Sequence, residues 1–247
     1  LGDHQKIGFG ESLQFFHKIN LGARMTSNKP SASLDRRSLV TFLAAVSCLP
    51  PGLALAQANG PLPMGFTKFK GPTDGFFQST VGGQPVISIR SQGSGGIVRC
   101  PVDFPVEPGL RLMWDWRVNT LPSAVAETTA VTHDYTSIAV EFDDGRDLSW
   151  YWSAVLKKGE HFGCPLPGWS TETHYVVGSG PSDLGRWVSE NREIAADARV
   201  ALKQMPSKVV AVWLIHYTVP QKRLASTDFR RISFATHQGK EQVIFPA

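Results

Sequence analysis

Residues 110–118 read Leu110-Arg111-Leu112-Met113-Trp114-Asp115-Trp116-Arg117-Val118. In an extended strand, Leu110, Leu112, Trp114, Trp116 and Val118 share one side, and Arg111, Met113, Asp115 and Arg117 share the other. Strict period-two alternation of this length marks a strand with one face in a core. A second pair of indoles follows at Trp150 and Trp152, on one face with Leu148. Two such pairs need a large core to receive them.

The flanking sequence supplies it in short pieces. Apolar runs separated by Gly, Pro, Asp and Ser clusters predict strands over Met64–Lys70, Phe76-Phe77, Val86–Arg90, Ile97–Val102, Tyr135–Phe142, Leu148–Val155, His174–Gly178 and Phe229–Phe234. Ser91–Gly96 reads as a hairpin loop, and Asp143-Asp144-Gly145 as the turn of a second hairpin. Leu121–Thr132 and Lys157–Thr171 read as loops, and Trp187–Glu193 as extended chain. Val209–Tyr217 is apolar on both faces, as a central strand covered on both sides would be. Ile194–Met205 carries Ile194, Ala198, Ala201 and Leu202 at helical spacing, with Pro206 as its stop. The expected fold is all-β: an antiparallel two-sheet sandwich, jelly-roll-like, with one short helix.

The ends of the chain differ in composition. Of 25 Lys/Arg and 21 Asp/Glu, six and three fall in residues 1–58, leaving 19 and 18 for the rest. The net charge of +4 is therefore concentrated at the front, and residues 59–247 have no basic footprint for nucleic acid. Residues 1–24 read as upstream sequence or a disordered extension, with Met25 as the start. Residues 25–58 have the texture of an export signal: Arg36-Arg37, a short apolar run from Leu39 to Val46, then Ala54-Leu55-Ala56 as a cleavage site. The arginine pair resembles a twin-arginine leader, with an ordinary secretory signal as the alternative. A single domain over 59–247, periplasmic or secreted, is the resulting expectation, with no transmembrane segment in it. Cys48 would leave with the leader, so Cys100 and Cys164 become a disulfide candidate, or else two free thiols.

Several motifs, in order, resemble a bacterial family known only as domain of unknown function 3047. They are Trp114-Asp115-Trp116, His133-Asp134-Tyr135, Tyr151-Trp152, Trp187 with Glu190 and Arg192, then Asp197, and the apolar run Val209–Tyr217. Order and spacing agree over roughly residues 65–236. The resemblance implies an exported β-sandwich-like protein with no settled activity. Two departures stand out: His133 lies where the family tends to carry an acid, and Thr218-Val219-Pro220-Gln221-Lys222 replaces a polar Asp-rich run.

Candidate chemistry lies on the polar side of the tryptophan strands. Asp115, Arg117, Asp134, Glu141, Glu190 and Arg192 are the candidate ligand-binding residues, with a glycan as the expected partner. Carboxylates and guanidinium groups bond sugar hydroxyls, and aromatic faces stack on sugar rings. Ordinary cross-strand ion pairs are the competing reading, and Arg192 has a structural alternative in Asp197. Tyr151, His133 and Arg117 are the candidate catalytic set, suited to proton abstraction by a polysaccharide lyase, with hydrolase chemistry on the same scaffold as another option. A structural envelope protein without a small ligand is the third class. Phosphate loops, a nucleophile elbow and metal-binding histidine spacings are missing from the sequence, so no cofactor and no metal is expected.

Overall fold

The computed structural model describes residues 62–246. The leader expected at residues 25–58 and the extension expected before it lie outside the described residues. The elements in chain order are β1 (Thr67–Lys70), β2 (Phe76–Val81), β3 (Gln84–Gln92), β4 (Gly95–Pro105), β5 (Arg111–Thr120), β6 (Tyr135–Phe142), β7 (Asp147–Ser153), β8 (His161–Gly163), β9 (Glu172–Ser179), β10 (Val188–Glu193), α1 (Ile194–Ala201), β11 (Lys208–Tyr217), β12 (Leu224–Ala235) and β13 (Glu241–Phe245). They form a seven-stranded sheet, β1-β4-β11-β6-β7-β9-β8, and a six-stranded sheet, β10-β5-β12-β3-β2, with β13 paired to β12. All pairs are antiparallel except β7 with β9. No helix among the described residues is long and apolar enough to cross a membrane.

The tryptophan strands make the core. Leu112, Trp114, Trp116 and Val118 of β5 and Leu148, Trp150 and Trp152 of β7 are all buried. Trp114 meets Trp150 across the sandwich with ring centroids 5.8 Å apart, and Trp116 meets Trp152 at 5.6 Å. These two contacts clamp one sheet to the other. Losing a buried indole to alanine costs about 3–5 kcal/mol in such a site, because a cavity remains. The clamp also dictates a glycine: a side-chain carbon at Gly178 would lie 2.2 Å from the Trp152 ring.

Several expectations are corrected. Ser91–Gly96 is not a hairpin loop, since β3 and β4 belong to different sheets and the chain crosses between them there. The 157–171 loop contains β8, and β13 is an additional strand. Trp187 precedes β10 rather than opening it. The helix ends at Ala201, well ahead of Pro206, because Leu202 is already extended; Lys203 and Gln204 offer nothing apolar to bury. The disulfide is absent, and both thiols are free. Cys100 faces the core with Val98 and Val212, whereas Cys164 sits beside His133 on the opposite side of the same sheet. A sheet between two sulfurs forbids the bond. Val209–Tyr217 is central as expected, flanked by β4 and β6.

Candidate functional site

The polar face of the central tryptophan strand lies outside the six-stranded sheet, where its charges are paired within the protein. Asp115 accepts from Ser189 Oγ (2.7 Å) and Arg230 Nε (3.1 Å), and Arg231 approaches to 3.4 Å. Arg117 donates twice to Asp228, through Nε at 3.1 Å and an Nη at 2.7 Å. Asp228 has no exposed surface and also accepts from Ser88, Arg90 and Asn119. Burial alone would raise its carboxyl, but the Ser88 and Arg117 hydrogen bonds and the charge of Arg90 hold it below the usual carboxylate range. Trp187 packs against both cations, with the Arg230 and Arg117 guanidinium carbons 4.1 and 5.3 Å from its ring centre.

A pocket of about 420 Å³ opens at one end of this face, where β5, β10, β12 and β13 meet. Asp115, Asn191, Arg231, Ser233 and Glu241 line it beside the apolar Met113 and Val243. The pocket exists because β12 is irregular between Arg230 and Ser233. Arg231 takes up the irregularity in the left-handed region, at φ 53°, a conformation that costs a side-chain-bearing residue of order 1 kcal/mol. The bulge turns Arg231 outward over the pocket, with 61% of its side chain exposed. Burial pushes the Glu190 carboxyl up, opposed by Arg192 and Lys158. Of the six expected ligand residues, Asp115 presents its side chain to this pocket, while Glu190 borders it from β10 but lies opposite Trp114 in the register, on the core side.

The others go elsewhere. Asp134 accepts the backbone N–H of Gln221 (3.1 Å) and fixes the loop after β11. Arg192 donates to Asp197 through two nitrogens, at 2.6 and 2.8 Å, and Asp197 also accepts the Trp150 indole N–H. Glu141 belongs to the seven-stranded sheet, where it accepts from Arg99 (2.7 Å) and Trp213 (3.0 Å). Tyr151 is on that sheet too. The suggested catalytic set is therefore not assembled: Arg117 lies on one sheet, Tyr151 on the other, and His133 in the loop that leads into the second sheet at β6.

Tyr151 and His133 instead join a polar cluster on the outer face of the seven-stranded sheet. Cross-strand register sets Glu141, Asp147 and Glu172 in one row over β6, β7 and β9, with Ala139, Ser149 and His174 in the next. Asp147, Ser149, Ser153, Glu172 and His174 are all buried despite facing away from the main core. The reason is closure from both edges: Lys70, on the β1 edge, places Nζ 4.2 Å from the ring centre of Trp169, in the loop beyond β8 at the opposite edge. Glu127 reaches in from the loop before β6 and accepts from Ser153 Oγ (2.6 Å), the Ala154 N–H (2.8 Å) and Tyr151 Oη (3.4 Å).

Burial dominates the electrostatics here. It pushes Glu172 up to about 7 and Asp147 well above its ordinary range, the latter helped by the nearby Glu172 and Glu141. It pulls His133 down to about 4 and His174 well below normal. Nothing in the sequence reading singled out Glu127, Asp147, Glu172 or His174. For Asp147, Glu172 and His174 the signal was only the polar half of a period-two pattern, which usually means a wet face, and Glu127, in a loop, carried none. His133, Cys164 and His174 bring their ligating atoms within 4.8 Å of one another, a grouping invisible to motif spacing because it draws on two loops and a strand.

No curated protein matches the chain. Among solved structures, similar folds include the xyloglucanase domain of NopAA, a type three effector from Sinorhizobium fredii, in complex with cellobiose (10% identity, TM-score 0.41, 71% of this chain and 100% of that one). Others are the family 30 carbohydrate-binding module of a Clostridium thermocellum cellulosomal cellulase (10%, 0.36, 72% and 95%) and the family 11 carbohydrate-binding module from the same organism, in complex with a mixed-linked tetrasaccharide (9%, 0.33, 78% and 94%). Likeness at these scores says nothing of this chain's own ligand. The sequence family described as protein of unknown function DUF3047 matches residues 63–233, most of the chain and nearly all of both sheets, and the chain belongs to that family.

Proposed function

We propose that the protein binds a neutral carbohydrate in the pocket between β5, β10, β12 and β13. The observation that supports this most is Arg231, held at positive φ beside Asp115 at the mouth of a pocket of about 420 Å³. That volume falls within the range of small-ligand sites, roughly 300–1,000 Å³. Local strain at a pocket is a reason to look for a ligand there. The lining offers acceptors at Asp115 and Glu241 and donors at Arg231, Asn191 and Ser233. Acidic groups outnumber the single guanidinium, so a ligand rich in hydroxyl donors is favoured over a phosphate or a uronate. Delivery by the leader expected at residues 25–58 would place the protein among envelope or environmental glycans.

A glycan array with wild type, Arg231→Ala and Arg117→Ala tests the proposal. Wild type should retain neutral oligosaccharides. Arg231→Ala should weaken the best of them about tenfold or more, the loss of one charge-assisted hydrogen bond. Arg117→Ala, outside the pocket, should leave the glycan preference unchanged. An array on which folded wild type retains nothing overturns the reading.

A further inference from the structure

The geometry points to a zinc site formed by His133, Cys164 and His174, with the Glu172 carboxylate as fourth ligand. It lies on the seven-stranded sheet and does not depend on the carbohydrate reading, whose pocket is on the other sheet.

Orientation is the first support. His133 Nδ1 lies 2.6 Å from the Glu127 carbonyl oxygen. A carbonyl only accepts, so Nδ1 carries the proton and Nε2 presents its lone pair inward. That is the arrangement that fixes tautomer and ring direction in metal-ligating histidines. Nε2 faces Cys164 Sγ at 3.5 Å. Two ligands of a tetrahedral zinc, with Zn–S near 2.3 Å and Zn–N near 2.0–2.1 Å, stand about 3.5 Å apart.

The second support is an orphan. His174 has no exposed surface, and neither of its ring nitrogens has a hydrogen-bond partner. A buried donor and acceptor left unpaired cost of order 1–3 kcal/mol each, and such a group calls for an explanation. A metal supplies one. His174 Nε2 lies 3.5 Å from Glu172 Oε1, again close to the spacing of two ligands on one ion. Tyr135 Oη donates to that same carboxylate oxygen at 3.1 Å, as an outer-shell partner would. The three ligating atoms of His133, Cys164 and His174 all lie within 4.8 Å of one another, at most roughly 1.3 Å beyond a tetrahedral edge. Binding therefore requires a small inward movement of the ligands, two of which, His133 and Cys164, stand on loops.

Donor chemistry selects the ion. A thiolate and two imidazoles disfavour magnesium and calcium, which take oxygen ligands, and suit zinc. Charge agrees: a thiolate and a carboxylate balance a divalent cation, so an enclosed site ends neutral. The half-buried edge at Cys164 gives the ion a way in.

The test uses the full chain. Protein expressed with zinc and dialysed against metal-free buffer should retain a stoichiometric ion by mass spectrometry. Cobalt(II) added to stripped protein should give a thiolate-to-metal absorption band that Cys164→Ser loses and Cys100→Ser keeps. Tyr135→Phe, with an unchanged circular dichroism spectrum, should bind zinc roughly ten- to a hundredfold more weakly. Zinc should also protect Cys164 of native wild type from iodoacetamide, a readout that needs no variant to fold. Stripped, folded wild type that takes up neither zinc nor cobalt overturns the site, as does a cobalt band that survives Cys164→Ser.

Discussion

The two sheets treat the charge on their outer faces in opposite ways. Outside the six-stranded sheet, each buried acid has cations against it: Asp228 holds Arg90 and Arg117, and Asp115 holds Arg230 and Arg231. Outside the seven-stranded sheet, Asp147, Glu172, His133 and His174 are buried with no paired arginine or lysine among them, and Asp147 Oδ2 and both nitrogens of His174 lack hydrogen-bond partners. The first face neutralises its buried acids internally, so a ligand in its pocket meets charges already held in place. The second is incomplete as a set of side chains, which is the mark of a place built to receive something.

The largest expected effect breaks the neutralised face. Asp228→Ala leaves Arg90 and Arg117 without their shared partner and should cost about 3–5 kcal/mol in urea unfolding. A loss below about 1 kcal/mol would mean that the two cations are served by water, and the contrast between the faces would weaken.

An intermediate effect is read from pH. Burial lowers His216, on the core side of β11, to about 4, against about 6.5 in an unfolded chain. Between those values the unfolded state binds the proton and the folded state does not, so stability rises with pH. Acidifying from pH 6.5 to 4 should therefore remove up to roughly 3 kcal/mol through this residue. In metal-free protein His133, also lowered to about 4, steepens the fall in the same direction. His216→Gln should flatten the profile by its own share, measured as unfolding free energy against pH. A variant as steep as wild type would mean that His216 is not the group titrating.

The smallest effect belongs to the rim of the incomplete face. Glu141→Gln keeps an acceptor for the Trp213 indole but discharges the ion pair with Arg99, whose side chain is 31% exposed. The change should stay within about 0.5 kcal/mol, as for surface pairs generally. A much larger loss would extend the enclosed cluster outward to Glu141.

The fold was legible where one face of a strand was apolar and the other was not. The Trp114/Trp116 and Trp150/Trp152 alternations located β5 and β7, and the Tyr135–Phe142 run coincided with β6. The same logic failed on the site. Asp147, Ser149, Tyr151 and Ser153 alternate with the tryptophan face of β7 and so read as a wet surface. They are buried by segments remote in sequence, β1 and the loop around Trp169. The separation of Asp115 and Arg117 from Glu141 and Tyr151 was equally hidden, because alternation fixes the face of a strand and not the sheet to which it belongs. Arg231 at positive φ has no sequence signal; arginine is not a residue that announces a left-handed turn.

The place of β12 also bears on the order in which this protein can be assembled. Residues 224–235 emerge during synthesis after both strands they pair with, yet they form the middle of the six-stranded sheet, between β5 on one side and β3 on the other. A chain stopped short of them has two sheet edges facing each other with nothing between. Such edges are templates for pairing with other chains. Completion of this sheet waits for β12, and a product shortened before it is better suited to aggregation than to partial function.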